Sequence, residues 1–274
     1  CGGGQPPRYF DSATMGVSQP YPGSFVRLGV PAPNGAMTLA LGTAGTGTTE
    51  DRVYIDTFVR GLDESAPNSA TATIGVLGGS TVAISNLAPV PSGTHGITLR
   101  RIYVFTGTGQ FMRCVEQSAT LTTATDTGTR GAVLTTGGRD DIDPGSAYLE
   151  PPDDMTGLIE LWNGMFLAGL GKSYMLCVAY APHAWPLKYR YGMPDTFVGA
   201  ASYGQTLVIV TTGYPRVSSG SAPGAMSSSP IFMREAGVSA RSVKAVGHGV
   251  CWASNNGLRD HGQRGTLNMT QGIT

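Results

Sequence analysis

The densest group of side chains able to do chemistry lies between residues 140 and 154. Asp140, Asp141, Asp143, Glu150, Asp153 and Asp154 all fall there. Two chemistries use carboxylates in such numbers. A calcium loop of the EF-hand type needs oxygen ligands at alternate positions and a distal Glu, and Asp140, Asp141 and Asp143 lack that spacing. A glycosidase needs two carboxyl groups opposed across a cleft. Asp153 or Asp154 would serve only with a partner from elsewhere in the chain. With Pro144-Gly145 and Pro151-Pro152 interleaved, the stretch reads as a solvated connector.

Other candidates are sparser. The four histidines, His95, His183, His248 and His261, show no His-x-x-x-His spacing, and no Cys-x-x-Cys is present. A zinc site would have to gather its ligands from remote positions. Cys114, Cys177 and Cys251 sit in apolar strand-like runs, so they read as buried thiols. Cys1 stands alone at the start. Ser218-Ser219-Gly220-Ser221 does not match the Gly-x-Ser-x-Gly elbow. The glycines at 42, 45 and 47 lack the Lys-Ser/Thr of a phosphate loop and read as a turn. Trp162, Trp185 and Trp252 are the aromatic residues to weigh for stacking on sugars. Trp252 reads as core, and Trp185, between Ala184 and Pro186, fits either role. No catalytic, cofactor-binding or metal-ligating residue is assigned, and the chain is expected not to be an enzyme.

The elements that would position any of these residues are strands. The chain has 274 residues, 40 of them Gly and 18 Pro, and only 13% are charged. An average soluble domain carries about 25% charged residues. Many short strands joined by Gly, Pro, Ser and Thr turns account for this composition. The 18 basic and 18 acidic residues balance, so the chain carries no electrostatic footprint for nucleic acid or an anionic membrane. No apolar run is long enough to span a bilayer.

One pattern recurs in the last third. Leu161-Trp162-Asn163-Gly164 opens a turn followed by an apolar run and a second glycine-bearing turn. Similar stretches occupy residues 203–214 and 248–258. The leading glycines, Gly164, Gly204 and Gly249, are spaced by 40 and 45 residues. A β-rich unit recurring at that period reads as a propeller blade.

The expected organisation is all-β: an immunoglobulin- or fibronectin-like sandwich followed by an incomplete β-propeller-like domain. Residues 1–33 form an extended N-terminal arm, with Pro31 and Pro33 unable to donate to a sheet. Residues 34–125 form the sandwich, with strands at 36–41, 52–60, 71–76, 81–87, 98–106, 111–116 and 119–125. Val53, Ile55, Thr57 and Val59 alternate with Tyr54, Asp56 and Phe58. Asp63 to Pro67 are expected to turn the chain after the second strand. Residues 126–160 are the acidic linker, and 161–274 carry about three blade units. Propellers close with four to eight blades, so the repeat is expected to be truncated and the chain a fragment of a longer or processed protein.

Residues 51–67 read Asp-Arg-Val-Tyr-Ile-Asp-Thr-Phe-Val and then Asp-Glu-Ser-Ala-Pro. This resembles the Tyr-x-Tyr-Thr-Tyr-Val … Gly-Glu-Glu-Ser-Ala-Pro stretch of fibronectin type III-like domains. The order Leu-Gly-Val-Pro-Ala-Pro at 28–33, Pro-Pro at 151–152, Asn-Gly at 163–164, Pro-His-Ala-Trp-Pro at 182–186, Gly-Gln-Thr-Leu-Val from 204 and Val-Ser-x-Arg-Ser-Val at 238–243 resembles structural proteins of short-tailed bacteriophage tails. The resemblance covers about residues 26–262. Ala236-Gly237 departs from it, standing where Cys precedes Val-Ser in the family. It implies a virion location in the tail and a multimeric tail tube or nozzle. It also implies partners: copies of the chain in a ring, other tail or adaptor proteins, and DNA passing without specific binding, with no membrane segment. The alternative is a receptor- or glycan-binding adhesion module on a virion or bacterial surface. A propeller glycosidase using Asp153 or Asp154 is the least supported reading.

Overall fold

The computed structural model describes residues 7–10, 25–93, 95–107, 110–128, 141–142 and 148–270. It is nearly all-β, built of several antiparallel sheets with short 3-10 turns between strands. Among the described residues no helix is long and apolar enough to cross a membrane. The chain divides into two compact units, one built on Arg8–Glu150 and the other on Pro151–Thr274.

In the first unit, β1 (Arg8–Phe10) and β2 (Phe25–Arg27) pair with each other. Residues 1–6 and 11–24 of the expected arm lie outside the described residues. The remaining strands are β3 (Thr38–Leu41), β4 (Thr49–Arg60), β5 (Asp63–Glu64), β6 (Ile74–Leu77), β7 (Val82–Ser85), β8 (Leu99–Phe105), β9 (Phe111–Ser118), β10 (Ala124–Asp126) and β11 (Asp141–Ile142). They make a three-stranded sheet in the order β10-β7-β3 and a six-stranded sheet in the order β11-β9-β8-β4-β5, with β6 also on β4. Tyr54, Ile102 and Val104 of the larger sheet share one apolar cluster with Val82 and Ile84 of the smaller. The other face of β4 is also covered, because Ile55, Thr57 and Val59 are buried as well.

Two expectations are corrected here. Asp63 and Glu64 do not form the turn; they are a short strand folded back on β4, with Val59 opposite Glu64 and Arg60 opposite Asp63. Gly61-Leu62 make the turn, leaving Leu62 fully exposed. The expected acidic linker is also shorter than 126–160. Asp126 is a buried strand residue held by Arg52, and residues 156–160 already form a strand.

The second unit consists of three four-stranded antiparallel sheets, each made of consecutive strands. The first contains β12 (Thr156–Glu160), β13 (Phe166–Leu170), β14 (Ser173–Leu176) and β15 (Arg190–Gly192). The second contains β16 (Phe197–Tyr203), β17 (Thr206–Thr211), β18 (Arg216–Ser219) and β19 (Ser227–Pro230). The third contains β20 (Lys244–Val246), β21 (Gly249–Ser254), β22 (Gly257–Gly262) and β23 (Gly265–Asn268).

The middle sheet explains the unbroken apolar run of β17. Side chains alternate across a strand. Leu207 and Ile209 join Leu167, Tyr174 and Leu176 of the first sheet, while Val208 and Val210 join Val250 and Trp252 of the third. A strand buried on both faces has no polar positions to alternate with. The first two sheets approach closely at Gly169. A Cβ there would overlap the Phe197 ring, and the same ring lies against Gly157. The Asn163-Gly164 turn is left-handed at both residues, with φ of 56° and 62°. Gly164 has a second reason to lack a side chain, since a Cβ would run into the Tyr180 ring. In the third unit of the repeat the turn is Gly247-His248, and Gly249 is the first residue of β21. The turn glycine is therefore two residues earlier than the sequence pattern placed it.

Candidate functional site

The residues singled out by chemistry do not converge. Asp153 and Asp154 sit exposed on a turn before β12. Asp140 and Asp143 lie outside the described residues, as does Cys1. His95 belongs to the first unit and is buried; burial and the neighbouring Arg27 and Arg60 hold its pKa below the ordinary value. His183 is buried, His248 is exposed on its turn, and His261 lies on β22 with Nδ1 2.7 Å from Thr266 Oγ1. Among the described residues, no group of three or more His, Cys, Asp or Glu is placed to hold a metal ion.

The glycine stretch at 42–47 is folded onto the β6–β7 turn. Gly42 N donates to Thr81 O, Thr43 N to Thr81 Oγ1, Gly45 N to Ser80 Oγ and Gly47 N to Gly78 O. Those amides are already spent on protein acceptors and form no anion cradle. Ser218 is buried in β18. Trp185 and Trp252 are fully buried, and their indoles donate to Pro182 O and Glu235 O. Trp162 is half-buried and donates to Gly220 O at 2.8 Å. The tryptophans tie loops to strands, and the buried Trp185 and Trp252 offer no open stacking face.

Sequence reading missed the ionic interior of the first unit. Arg52, Tyr54, Asp56, Phe58 and Arg60 all lie on one face of β4, and all are buried. Arg52 pairs with Glu50 at 2.7 Å and Asp126 at 3.1 Å, and Tyr54 Oη donates to Asp126 at 2.7 Å. Burial and the Asp126 charge raise the Tyr54 pKa. Asp56 faces Arg100 at 3.4 Å, without hydrogen-bond geometry. Burial outweighs the Arg100 charge and pushes the Asp56 carboxyl up to about 6. Arg100 stacks over Phe58, 4.9 Å from the ring centre, and donates to Ala88 O. Arg60 donates to the carbonyls of Arg27, Leu28 and His95, fastening the segment after β2. Charged pairs can replace apolar packing only when their remaining polar atoms are satisfied. A cleft of about 380 Å³ lined by Leu41, Thr49, Val76 and Ser80 adjoins the network at Ser80, whose carbonyl accepts from Arg52.

The second unit offers two surfaces that face outward. The first is the side of the third sheet turned away from the second. Strand register places Val246, Gly249, Gly262 and Gly265 in one row of this face. Lys244, Cys251, Asp260 and Leu267 make the next row, and Ala253 and Leu258 follow, with Met269 beyond the end of β23. Val246, Leu258, Leu267 and Met269 are 45%, 36%, 50% and 54% exposed. In the middle sheet the second strand buries Val208 and Val210 against the third sheet. At the corresponding places on β21 stand Cys251, which is buried, and Ala253, which is half-buried, while the exposed apolar residues of this face lie on the outer strands. The third sheet thus carries a face on which Val246, Leu258, Leu267 and Met269 are exposed around a buried Cys251, with Lys244 and Asp260 among them.

No family model matches the chain, and no curated protein matches it.

The second surface is a cleft of about 350 Å³ where the β16–β17, β20–β21 and β22–β23 turns meet. Tyr203, Gln205, Thr206, His248 and Gln263 line it. The Tyr203 ring is half-buried against the cluster formed by Val208, Val210 and Trp252. Gln205, His248 and Gln263 are exposed. The repeat pattern placed Tyr203, Gln205 and His248 at the starts of two of its units, and only the packing of the sheets brings those turns together.

Proposed function

We propose that this chain is a structural component of a bacteriophage tail, present in several copies that form part of a tail tube or nozzle ring. In this reading the two sheets of the first unit are a fibronectin type III-like sandwich. The three consecutive four-stranded sheets of the second are successive blades of an incomplete propeller. The observation that carries the reading is the set of apolar residues exposed on that face of the third sheet. Contiguous exposed apolar surface marks an interaction site, and both sheet-to-sheet contacts inside the chain bury faces of the same kind. The occupant proposed is a neighbouring copy, and rings result when such a contact between unlike surfaces closes on itself. A neutral chain with few charges suits burial against protein, and DNA would pass such a ring without specific binding.

Antibodies raised against the purified chain test the location. They are expected to decorate the tails of intact virions in electron micrographs. Labelling confined to infected-cell debris, with virions bare, would remove the proposal.

A further inference from the structure

The cleft where the β16–β17, β20–β21 and β22–β23 turns meet is a different kind of surface from the open sheet face. Its side chains are a phenol, two carboxamides, a hydroxyl and an imidazole, from Tyr203, Gln205, Gln263, Thr206 and His248. No Lys, Arg, Asp or Glu lines it. Apart from the single imidazole of His248, the lining offers no charge to a phosphate, a carboxylate or an amine, and one imidazole alone does not make a metal site. An apolar ligand would strip water from the amides without replacing their hydrogen bonds, which costs free energy. Carboxamides and hydroxyls each both donate and accept, so the complement of this lining is a ligand dense in neutral donors and acceptors.

Two further features narrow the class. The Tyr203 ring packs against the core of the second and third sheets while staying half-exposed at the cleft. An aromatic beside flexible polar groups gives an apolar ring face next to hydrogen-bonding partners. The volume, about 350 Å³, lies at the small end of the roughly 300–1,000 Å³ of ligand sites. That accommodates a single sugar ring with bound water. We infer that this cleft binds a neutral saccharide, one hexose or N-acetylhexosamine unit at a time. The sugar's apolar face would lie on Tyr203 and its hydroxyls would meet Gln205, Gln263, Thr206 and His248. The inference is independent of ring assembly: a chain can form rings without binding sugar, and the reverse.

The test uses the full chain and saturation-transfer difference NMR. The probes are free glucose, galactose, mannose and N-acetylglucosamine, with inorganic phosphate as the charged competitor. At least one sugar is expected to show saturation transfer strongest at its ring C–H protons. Gln205→Ala combined with Gln263→Ala should weaken binding about tenfold or more, since each removes hydrogen bonds to the ligand. Both are exposed turn residues, so folding is not at stake, and unchanged tryptophan emission verifies that. Tyr203→Phe, which keeps the ring, should retain the ring-proton transfer. No transfer from any of the four sugars would overturn the inference. So would binding unchanged in the double variant, or displacement of the sugar by phosphate.

Discussion

Gly169→Ala probes the contact that joins the first two sheets of the second unit. A Cβ at residue 169 would overlap Cδ1 and Cγ of Phe197 and lie 2.6 Å from Cε1. Cγ is fixed to the backbone through Cβ, so rotation of the ring about its own axis cannot clear the overlap and the Phe197 rotamer or the backbone must shift; the same ring edge also faces Gly157. Overpacking of a filled core costs about 1–3 kcal/mol. Replacing a strand glycine by alanine returns about 0.5–1 kcal/mol through chain entropy. The net expectation is a destabilisation of about 1–2 kcal/mol. With Phe197→Ala in the background the overlap is gone, and the same glycine substitution should become stabilising by roughly 0.5 kcal/mol. All three tryptophans, Trp162, Trp185 and Trp252, lie in Pro151–Thr274. Urea unfolding followed by tryptophan emission thus reports this unit within the intact chain. A slope of about 1–3 kcal/mol per molar urea turns the expected loss into a midpoint shift of roughly 1 M. Equal effects of Gly169→Ala in the two backgrounds would refute the packing argument.

Three other expectations concern buried ionisable groups. Asp56 has its pKa pushed up to about 6 from the ordinary 3.8, so the folded unit favours the protonated acid. Its contribution is fully present below about pH 4 and is lost as pH rises through 6, by up to about 3 kcal/mol. Protection factors of β4 and β8 amides, with the intrinsic pH dependence of exchange divided out, should rise toward the acid side, and Asp56→Asn should flatten that slope; a slope identical to wild type would contradict the assignment. Arg52→Met leaves Asp126 buried without its cation and should cost about 3–5 kcal/mol, read as faster exchange in the same strands. Arg52→Met with Asp126→Asn should recover part of the loss, and no recovery would argue against their pairing. Burial pushes the Cys177 and Cys251 thiols up to about 11. Alkylation at neutral pH, mapped by peptide mass, should reach them only after denaturant is added.

The strands were legible because their cause is local. β4, β8 and β9 follow runs rich in Val, Ile, Tyr and Phe bounded by turns. The three four-stranded sheets follow the recurrence of glycine turns and apolar runs. Register was less legible. Gly249 looked like a turn residue, but the turn closes one dipeptide earlier, since both Gly247 and Gly249 fit the pattern and only pairing with Gly262 decides. The charges inside the first unit could not be read at all. Arg52 and Asp126 are far apart in the chain, and an arginine in an alternating strand reads as solvent-facing until its partner is known. The cleft at Tyr203 and His248 was hidden for the same reason: two turns became neighbours only because Val208 and Trp252 pack together. The tryptophans were legible in part, with Trp252 on an apolar strand and Trp185 settled only by its surroundings.

The most direct test of the structural role is the mass of the purified chain in solution, followed by electron microscopy of the assembled fraction. Closed rings of several copies are expected. Leu267→Asp with Met269→Asp, which puts charge on the exposed face of the third sheet, should leave the chain folded by tryptophan emission and monomeric. A wild-type chain that stays monomeric at high concentration, or rings that persist unchanged in the double variant, would contradict the structural role.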